Sequence, residues 1–245
     1  MAKWWETFFA SFILEIQFTP APKELVQKRV SFIENVLGLA PGNKVLDVPC
    51  GDGYLTIELA KKGYSMTGVD LTQAVIDYAT VRSKQKQLHM DLYRMDMRDL
   101  PWKSRFDGAF CFGGSFGFFD DKGNTDFLKS LHKCLKPQAK IIIDTHVSET
   151  LLPVFKKENR EQIGDLTLIQ KRQFDHEHGV INSDWTVIKD GIDEHYFASM
   201  RIYSYKELKE MLQHIGFENI KGYGSLDGKK FGLGDERLYL EASKA

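Results

Sequence analysis

The chain has 245 residues, which is long enough for one large α/β domain with insertions. Hydrophobic residues make up 42% of it, the normal share for a folded globular protein. The net charge is −1 and both signs are mixed along the chain, so we expect neither a nucleic-acid partner nor an anionic membrane surface. Three widely spaced cysteines, Cys50, Cys111 and Cys134, argue against a disulfide framework or a zinc site and favour a cytoplasmic location.

Two helices are predicted in an N-terminal unit of residues 1–38. Apolar residues recur at helical spacing from Trp4 to Ile16, which predicts one amphipathic helix there. A signal peptide would instead show an unbroken apolar core, and no stretch of the chain is long enough to span a bilayer. A second amphipathic helix is expected over about 23–37. The first helix either packs on the core or also covers a ligand pocket as a lid.

Residues 40–147 alternate short apolar runs with helical stretches, a pattern that predicts βαβ units and a mostly parallel, Rossmann-like sheet. Five strands are expected here, two of them ending in an aspartate. The predicted strands are 44–48, SMTGVD ending at Asp70, LYRMD ending at Asp96, 106–112 and 140–146.

The pattern changes over 148–204, where we expect a small antiparallel cap inserted into the fold. A helix of about a dozen residues is predicted first, followed by the three strands LTLIQKRQF, VINSDWTVI and DEHYFASMRIYS. Residues 205–245 then close the core with a helix, begun by a capping box of Ser204 and Glu207, and two strands. The whole chain, 1–245, is expected to be one domain.

The sequence KVLDVPCGDG at 44–53 combines a buried strand, a glycine turn and the start of a helix. Such a turn lets a ligand approach bare backbone. Asp70 lies 19 residues beyond Gly51, at the end of the second strand, where its carboxylate can accept hydrogen bonds from ribose hydroxyls. This geometry suits both NAD and S-adenosylmethionine.

Three details favour S-adenosylmethionine. Pro49 stands where a pyrophosphate-binding turn has its first glycine. Asp47 would repel a pyrophosphate but attract a cationic ligand. Asp96 is placed to bind an adenine amino group with Met97 against the ring, unless it only caps the next turn.

With these motifs the chain resembles the class I S-adenosylmethionine-dependent methyltransferases, in particular those acting on small molecules. LDVPCGDG matches the glycine motif LDxGxGxG, and the match continues in the acidic ribose residue of VD at 69–70, in MDMRDLPW, in FDGAFCFGGSF and in LKPQAKIIID. The resemblance covers about 40–147 and the last forty residues. It implies seven strands with the last one antiparallel. Pro49 in place of glycine and Gln138-Ala139 in place of a glycine pair depart from the family pattern.

The resemblance and the strand ends together give candidate site residues. The expected cofactor-binding residues are Asp47, Pro49, Gly51, Gly53, Asp70, Leu71, Asp96, Met97, Cys111 and Phe112. The candidate substrate contacts are Trp5, Ser115, Phe116, Trp185 and Arg201. The candidate catalytic groups are His146, His195 and Tyr203, for which the alternative is an ordinary structural role. No metal site is expected, and His176 and His178 are read as polar residues of an exposed turn.

The predicted function is methyl transfer from S-adenosylmethionine to a small molecule by direct displacement in an enclosed pocket. Such an enzyme must align the reactants and exclude water, and it needs a general base only for a protonated nucleophile. The alternatives are an RNA-modifying methyltransferase, an NAD-dependent oxidoreductase and a non-catalytic relative. The sequence does not separate N-, O-, C- and S-methylation, and it does not indicate an oligomeric state.

Overall fold

The computed structural model describes residues 3–245, with helices and strands numbered here in chain order. The helices are α1 Ser11–Phe18, α2 Lys23–Leu37, α3 Tyr54–Lys61, α4 Gln73–Gln85, α5 Asp121–Cys134, α6 Ser148–Leu151 and α7 Tyr205–Ile215. The strands are β1 Lys44–Asp47, β2 Ser65–Asp70, β3 Asp91–Arg94, β4 Phe106–Cys111, β5 Leu135–Thr145, β6 Glu158–Ile163, β7 Leu166–Asp175, β8 Val180–Lys189, β9 Ile192–Arg201, β10 Phe217–Tyr223 and β11 Leu238–Lys244.

Seven strands form the central sheet in the order β10-β11-β5-β4-β1-β2-β3. The last strand, β11, runs antiparallel to both of its neighbours, and the other pairs are parallel. The predicted Rossmann-like α/β fold is therefore confirmed. Because β1 to β5 are parallel, their carboxyl ends meet at one edge, where folds of this kind bind ligands.

The central strands are covered on both faces, which explains their near-continuous apolar sequences. On one face Leu46 and Ala109 belong to a large buried cluster that includes α5. On the other face Val45 and Phe110 pack with residues of α2 and α3. These two layers hold the edge with the glycine turn in a fixed position.

A second, antiparallel sheet of four strands, β6-β7-β8-β9, is called the cap sheet here. The three predicted strands are confirmed, but the helix of about a dozen residues before them is wrong. The helix α6 has only four residues, a 3-10 turn at Leu152–Val154 follows, and β6 occupies the rest. Pro153 lies in this turn, and the polar segment of β6 gains its regular structure by pairing with β7.

The predicted first helix is divided in two. Trp4–Glu6 forms a 3-10 turn, Ala10 is extended, and α1 begins only at Ser11. The aromatic side chains of this segment pack on rings from elsewhere in the fold, and these tertiary contacts override the helical periodicity. The helix α2 forms as predicted and ends at Gly38 in the left-handed conformation.

Strand boundaries also differ from the prediction. The strand β5 begins at Leu135 rather than at about 140, and β3 ends at Arg94, so that Asp96 lies two residues beyond it. In the pairing of β5 with β4, Phe106 lies opposite Leu135 and Gly108 lies opposite Lys140, so the register shifts between these two pairs. The residues of β5 before Lys140 belong to this irregular part of the strand. None of the helices within residues 3–245 combines the length and the apolar character that a bilayer crossing requires.

Candidate cofactor and acceptor site

A cavity of about 480 Å³ lies at the carboxyl edge of the central sheet. It is lined by the ends of β1, β2, β3 and β4, by residues 4–21, and by β8 and β9 of the cap sheet. Its volume falls within the range of roughly 300–1,000 Å³ of small-molecule sites. The strand-end motifs and the predicted N-terminal lid therefore line the same cavity.

The turn after β1 is held by backbone contacts. The Cys50 amide donates to the Val69 carbonyl at 2.8 Å, which ties the turn to β2. Gly53 has a φ of 74°, and a Cβ there would lie 2.9 Å from the Ala79 Cβ, so the turn needs glycine. Pro49, the departure from the family pattern, follows a cis peptide bond and lines the cavity.

Asp70 joins the glycine turn to the end of β2. Its carboxylate accepts hydrogen bonds from the Gly51 amide at 3.1 Å and from the Thr72 amide at 3.0 Å. These bonds orient the carboxylate, which lines the cavity and retains lone pairs for a ligand. Burial raises the pKa of Asp70, an effect that the backbone hydrogen bonds oppose.

Two further carboxylates make the turn electronegative. Asp47 is 2% exposed and accepts a hydrogen bond from the Thr56 hydroxyl at 2.6 Å. Burial raises the pKa of Asp47 well above its ordinary value, and Asp52 and Asp70 add repulsion. Burial also raises the pKa of Asp52, although Arg82 pairs with it. A cationic ligand group would relieve this concentration of negative charge.

Asp96 follows β3 and is bound by Arg98. The guanidinium Nη2 lies 2.6 Å from Oδ2, and the Arg98 backbone amide donates to Oδ1 at 2.9 Å. Burial opposes ionisation, but the hydrogen bonds from Arg98 hold the pKa of Asp96 below its usual range. Asp96 therefore lines the cavity as an oriented carboxylate, and Met97 beside it is 8% exposed.

Arg29 of α2 is the only basic side chain that lines the cavity within residues 3–245. Its guanidinium donates to the Tyr54 hydroxyl at the start of α3. In the described part of the chain no carboxylate lies within ion-pair distance of it, and its Nε is buried without a hydrogen-bond partner. An anionic ligand group would supply the missing partner.

Aromatic and aliphatic side chains line the rest of the cavity, a region called the aromatic chamber here. Trp4 packs on Phe118 with ring centres 5.0 Å apart, Trp5 packs on Phe119 at 4.7 Å, and Phe8 packs on Trp185 at 5.1 Å, all edge to face. The chamber is lined by Trp4, Trp5, Phe8, Phe9, Phe118, Phe119, Trp185, Ala198 and Met200.

The N-terminal segment covers the cavity and is attached to the cap sheet. Glu194 of β9 accepts hydrogen bonds from the Ser11 hydroxyl at 2.6 Å and the Phe12 amide at 3.3 Å, at the start of α1. Lys189 pairs with Glu15 at 2.5 Å. The helix also places the Gln17 amide against Gly51, where an added Cβ would meet Nε2 at 3.1 Å.

The structure brings many of the predicted site residues together around the cavity. Those lining it are Asp47, Pro49, Gly51, Asp70, Leu71, Asp96, Met97, Phe112, Trp5, Ser115 and Trp185. Gly53, Cys111 and Phe116 lie behind this lining, with Cys111 and Phe116 at most 2% exposed. They support the wall of the cavity and do not form its surface.

The three candidate catalytic residues lie outside the cavity lining. His146 Nε2 is 3.0 Å from Arg237 Nη1, and burial together with this arginine lowers the pKa of His146 to about 4. His195 is exposed, with its Nδ1 3.1 Å from the Thr186 hydroxyl. Tyr203 is 3% exposed and donates to Asp121 at 2.8 Å.

Arg201, a candidate substrate contact, also lies away from the cavity. It pairs with Asp121 at 3.0 Å and with Glu207 at 2.9 Å, and its guanidinium packs on the Tyr203 ring. This network attaches the end of the cap sheet to α5 and α7.

In the exposed turn that contains His176 and His178, His178 Nδ1 lies 2.8 Å from the Asp175 carboxylate. Within residues 3–245, no group of three His, Cys, Asp or Glu side chains is arranged to hold a metal.

Sequence reasoning missed Arg29, Tyr54, Gln17 and Arg98. Arg98 had a local signal, since it follows Asp96 by two residues within the strand-end motif. Arg29 and Gln17 had none, because each lies on a surface helix whose docking against the glycine turn is decided by the tertiary fold.

Comparisons with known proteins agree with this geometry. Residues 45–138 match the family model described as a methyltransferase domain. YqeM of Bacillus subtilis, a protein named as a methyltransferase, is 26% identical over 82% of this chain and 84% of its own length.

Two solved structures are similar in fold. One is an S-adenosylmethionine-dependent methyltransferase from Clostridium acetobutylicum, with a TM-score of 0.79, 20% identity, and coverage of 90% of this chain and 92% of that one. The other is CalS10 from Micromonospora echinaspora, an amino pentose methyltransferase solved with S-adenosylmethionine bound. It has a TM-score of 0.69 and 16% identity, and each chain is covered to 95%. The family model and the relative from Bacillus subtilis bear out the expected methyltransferase family, and the two structures show the same fold.

Proposed function

We propose that this chain, a class I S-adenosylmethionine-dependent methyltransferase, transfers the methyl group to a small-molecule acceptor held in the aromatic chamber. The observation that carries the proposal is the division of one cavity into two chemically distinct parts. Carboxylates and Arg29 occupy the strand-end part, and apolar rings occupy the other. The first part suits a charged nucleoside cofactor, and the second suits an organic acceptor.

The residues of the strand-end part fit S-adenosylmethionine group by group. Bound there, S-adenosylmethionine supplies an electrophilic methyl group on a sulfonium sulfur. Asp70 is oriented to accept from ribose hydroxyls, and Asp96 with Met97 would hold the adenine. Arg29 supplies a partner for the methionine carboxylate, and Asp47 lies in the electronegative turn that suits its ammonium group.

The same charges oppose a dinucleotide. A pyrophosphate at the glycine turn would face Asp47 and Asp52, which are buried and strained by mutual repulsion. These carboxylates count against the NAD alternative, which is supported only by the glycine turn and Asp70.

The remaining task of the chain is alignment and exclusion of water. The N-terminal segment and the cap sheet enclose the chamber with packed aromatic rings, and Glu194 and Lys189 join the two. A dry chamber prevents water from competing for the methyl group and leaves room for an acceptor of limited size. CalS10 has a similar fold and is named as an amino pentose methyltransferase. Its likeness to this chain supports a small-molecule acceptor here as well.

Binding of S-adenosylhomocysteine tests the proposal. Calorimetry should show binding to the unmodified protein, and Asp70→Asn should weaken it about 10- to 100-fold, because hydrogen bonds to a charged group contribute about 1.5–3 kcal/mol each. The matched control is Asp77→Asn, which changes an exposed aspartate on α4. Binding of NAD in place of S-adenosylhomocysteine, or equal affinity of the Asp70 variant, would refute the assignment.

A further inference from the structure

The aromatic chamber contains no side chain that could remove a proton from an acceptor. Within residues 3–245, no histidine, lysine or glutamate lines the cavity. The titratable groups that do line it are four aspartates, Arg29, Tyr54 and the thiol of Cys50, and all of them belong to the strand-end part.

The carboxylates are held in the strand-end part, away from the aromatic chamber, and the tyrosine and thiol keep their protons at neutral pH. The four carboxylates are bound by Thr56, Arg82, the Gly51 and Thr72 amides, and Arg98. Burial raises the pKa of Tyr54 to about 12 and also raises the pKa of the Cys50 thiol. The acceptor must therefore bring a nucleophile that needs no deprotonation by the protein.

We infer that the acceptor is a primary or secondary amine on an apolar skeleton, an inference that rests on the proposed small-molecule methyl transfer. Its uncharged nitrogen has a free lone pair. Alcohols and phenols carry a proton that the chamber cannot accept, and a carboxylate would be buried there without a cation.

The movement of positive charge during methyl transfer to an amine suits the aromatic chamber. The amine lone pair forms the new N–C bond as the S–C bond breaks, and the electron pair of that bond stays on sulfur. The positive charge thus moves from sulfur to nitrogen, and the product leaves as an ammonium ion. The one proton released comes from the acceptor, whose ammonium form gives it to solvent before the neutral amine enters the chamber. Before transfer, the apolar chamber favours the neutral amine by desolvation. After transfer, the rings of Trp4 and Trp185, which line the chamber, attract the ammonium by cation–π interaction.

The positive charge of Arg98 lies near the aromatic chamber but outside its lining. Its guanidinium lies 4.2 Å from the centre of the Phe119 ring and 5.5 Å from that of Trp5, but its charge is paired with Asp96 and it does not line the cavity. The chamber itself is thus lined only by uncharged side chains.

The test compares acceptors that differ only in the nucleophile. Phenylalkyl amines of increasing chain length, with the corresponding alcohols, thiols and carboxylic acids and with alkylphenols, are incubated with the protein and S-adenosylmethionine, and products are identified by mass spectrometry. We expect methylation of amines alone. Methylation of any of the other four classes in preference to amines would overturn the inference, as would the absence of methylated amine from a protein that binds S-adenosylhomocysteine. Failure to bind S-adenosylhomocysteine would instead refute the proposed function.

A binding measurement tests the role of the rings without turnover. The N-methyl-4-phenylbutylammonium ion is titrated into the protein saturated with S-adenosylhomocysteine. Trp185→Leu should weaken its binding about tenfold, the effect of removing one desolvated cation–π contact. The matched control is Phe197→Leu, which changes an exposed ring of the same sheet that does not line the cavity. Equal weakening in both variants, or no weakening in either, would contradict the role of the chamber, and unchanged S-adenosylhomocysteine binding verifies that the variants are folded.

Discussion

Within residues 3–245, Arg29 is the only positively charged side chain that lines the otherwise acidic strand-end part of the cavity. Its guanidinium contacts the Tyr54 hydroxyl, and no carboxylate in the described residues neutralises it. Arg29 is partly buried, and its Nε is buried without a hydrogen-bond partner, an arrangement that costs free energy unless a ligand supplies the partner. The methionine carboxylate of S-adenosylmethionine is the group that would do so.

Arg29→Gln should therefore weaken S-adenosylhomocysteine binding about 10- to 100-fold, the range for loss of charge-assisted hydrogen bonds. Binding of 5′-methylthioadenosine, which lacks the carboxylate, should be unaffected. Calorimetry with both ligands checks this, with Lys28→Gln as the control on the exposed side of the same helix. Equal losses for both ligands would show that Arg29 acts only through the fold.

Single residues divide clearly into those a sequence can assign and those it cannot. Gly51 and Asp70 were identifiable, because the turn, the strand end and their spacing are local features. Arg29 was not, since its partner Tyr54 is 25 residues away and their meeting depends on how α2 docks on α3. His146 was placed at the right sheet edge, but the contact with Arg237, 91 residues later, was not predictable from the chain.

At the scale of elements, α1 depends on the cap sheet for its position. Glu194 receives the Ser11 hydroxyl and the Phe12 amide and also the Tyr196 hydroxyl. A carboxylate at the start of a helix also interacts favourably with the helix dipole. The helix that covers the cavity is thus attached by a residue about 180 positions further along the chain.

Glu194→Gln should loosen α1 without unfolding the core. Removing the charge at the helix start should raise amide hydrogen exchange in Ser11–Phe18 about two- to fivefold, as expected for a loss of about 0.3–1 kcal/mol. Exchange in the central sheet should not change. Asp193→Asn, at the exposed neighbouring position, serves as the control. Unchanged exchange in α1 would mean that its aromatic contacts alone hold it.

The elements that sequence patterns misplaced are those shaped by distant packing. Trp4 to Ile16 has helical spacing, yet packing of Trp4 on Phe118 and Phe8 on Trp185 interrupts the helix. The polar stretch of β6 has little alternation and becomes a strand only by pairing with β7. The buried strands β1, β2 and β4, in contrast, have strong apolar runs and were predicted near their observed bounds.

In the molecule as a whole, two sheets and the N-terminal segment enclose one cavity. The central sheet contributes the carboxylates, α2 contributes Arg29, and the cap sheet and N-terminal segment contribute the rings. The family motifs made the central sheet and its strand order predictable. The chamber was predictable only as an aromatic-rich lid, because its shape arises where three units separated in sequence converge.

We propose that this cavity aligns a nucleoside cofactor with an acceptor in the aromatic chamber. A crystal structure with S-adenosylhomocysteine tests it most directly. We predict the ribose hydroxyls on Asp70, the adenine beside Asp96 and Met97, the carboxylate at Arg29, and the sulfur facing the aromatic chamber. A ligand bound elsewhere, or one whose sulfur faces away from the chamber, would contradict the account.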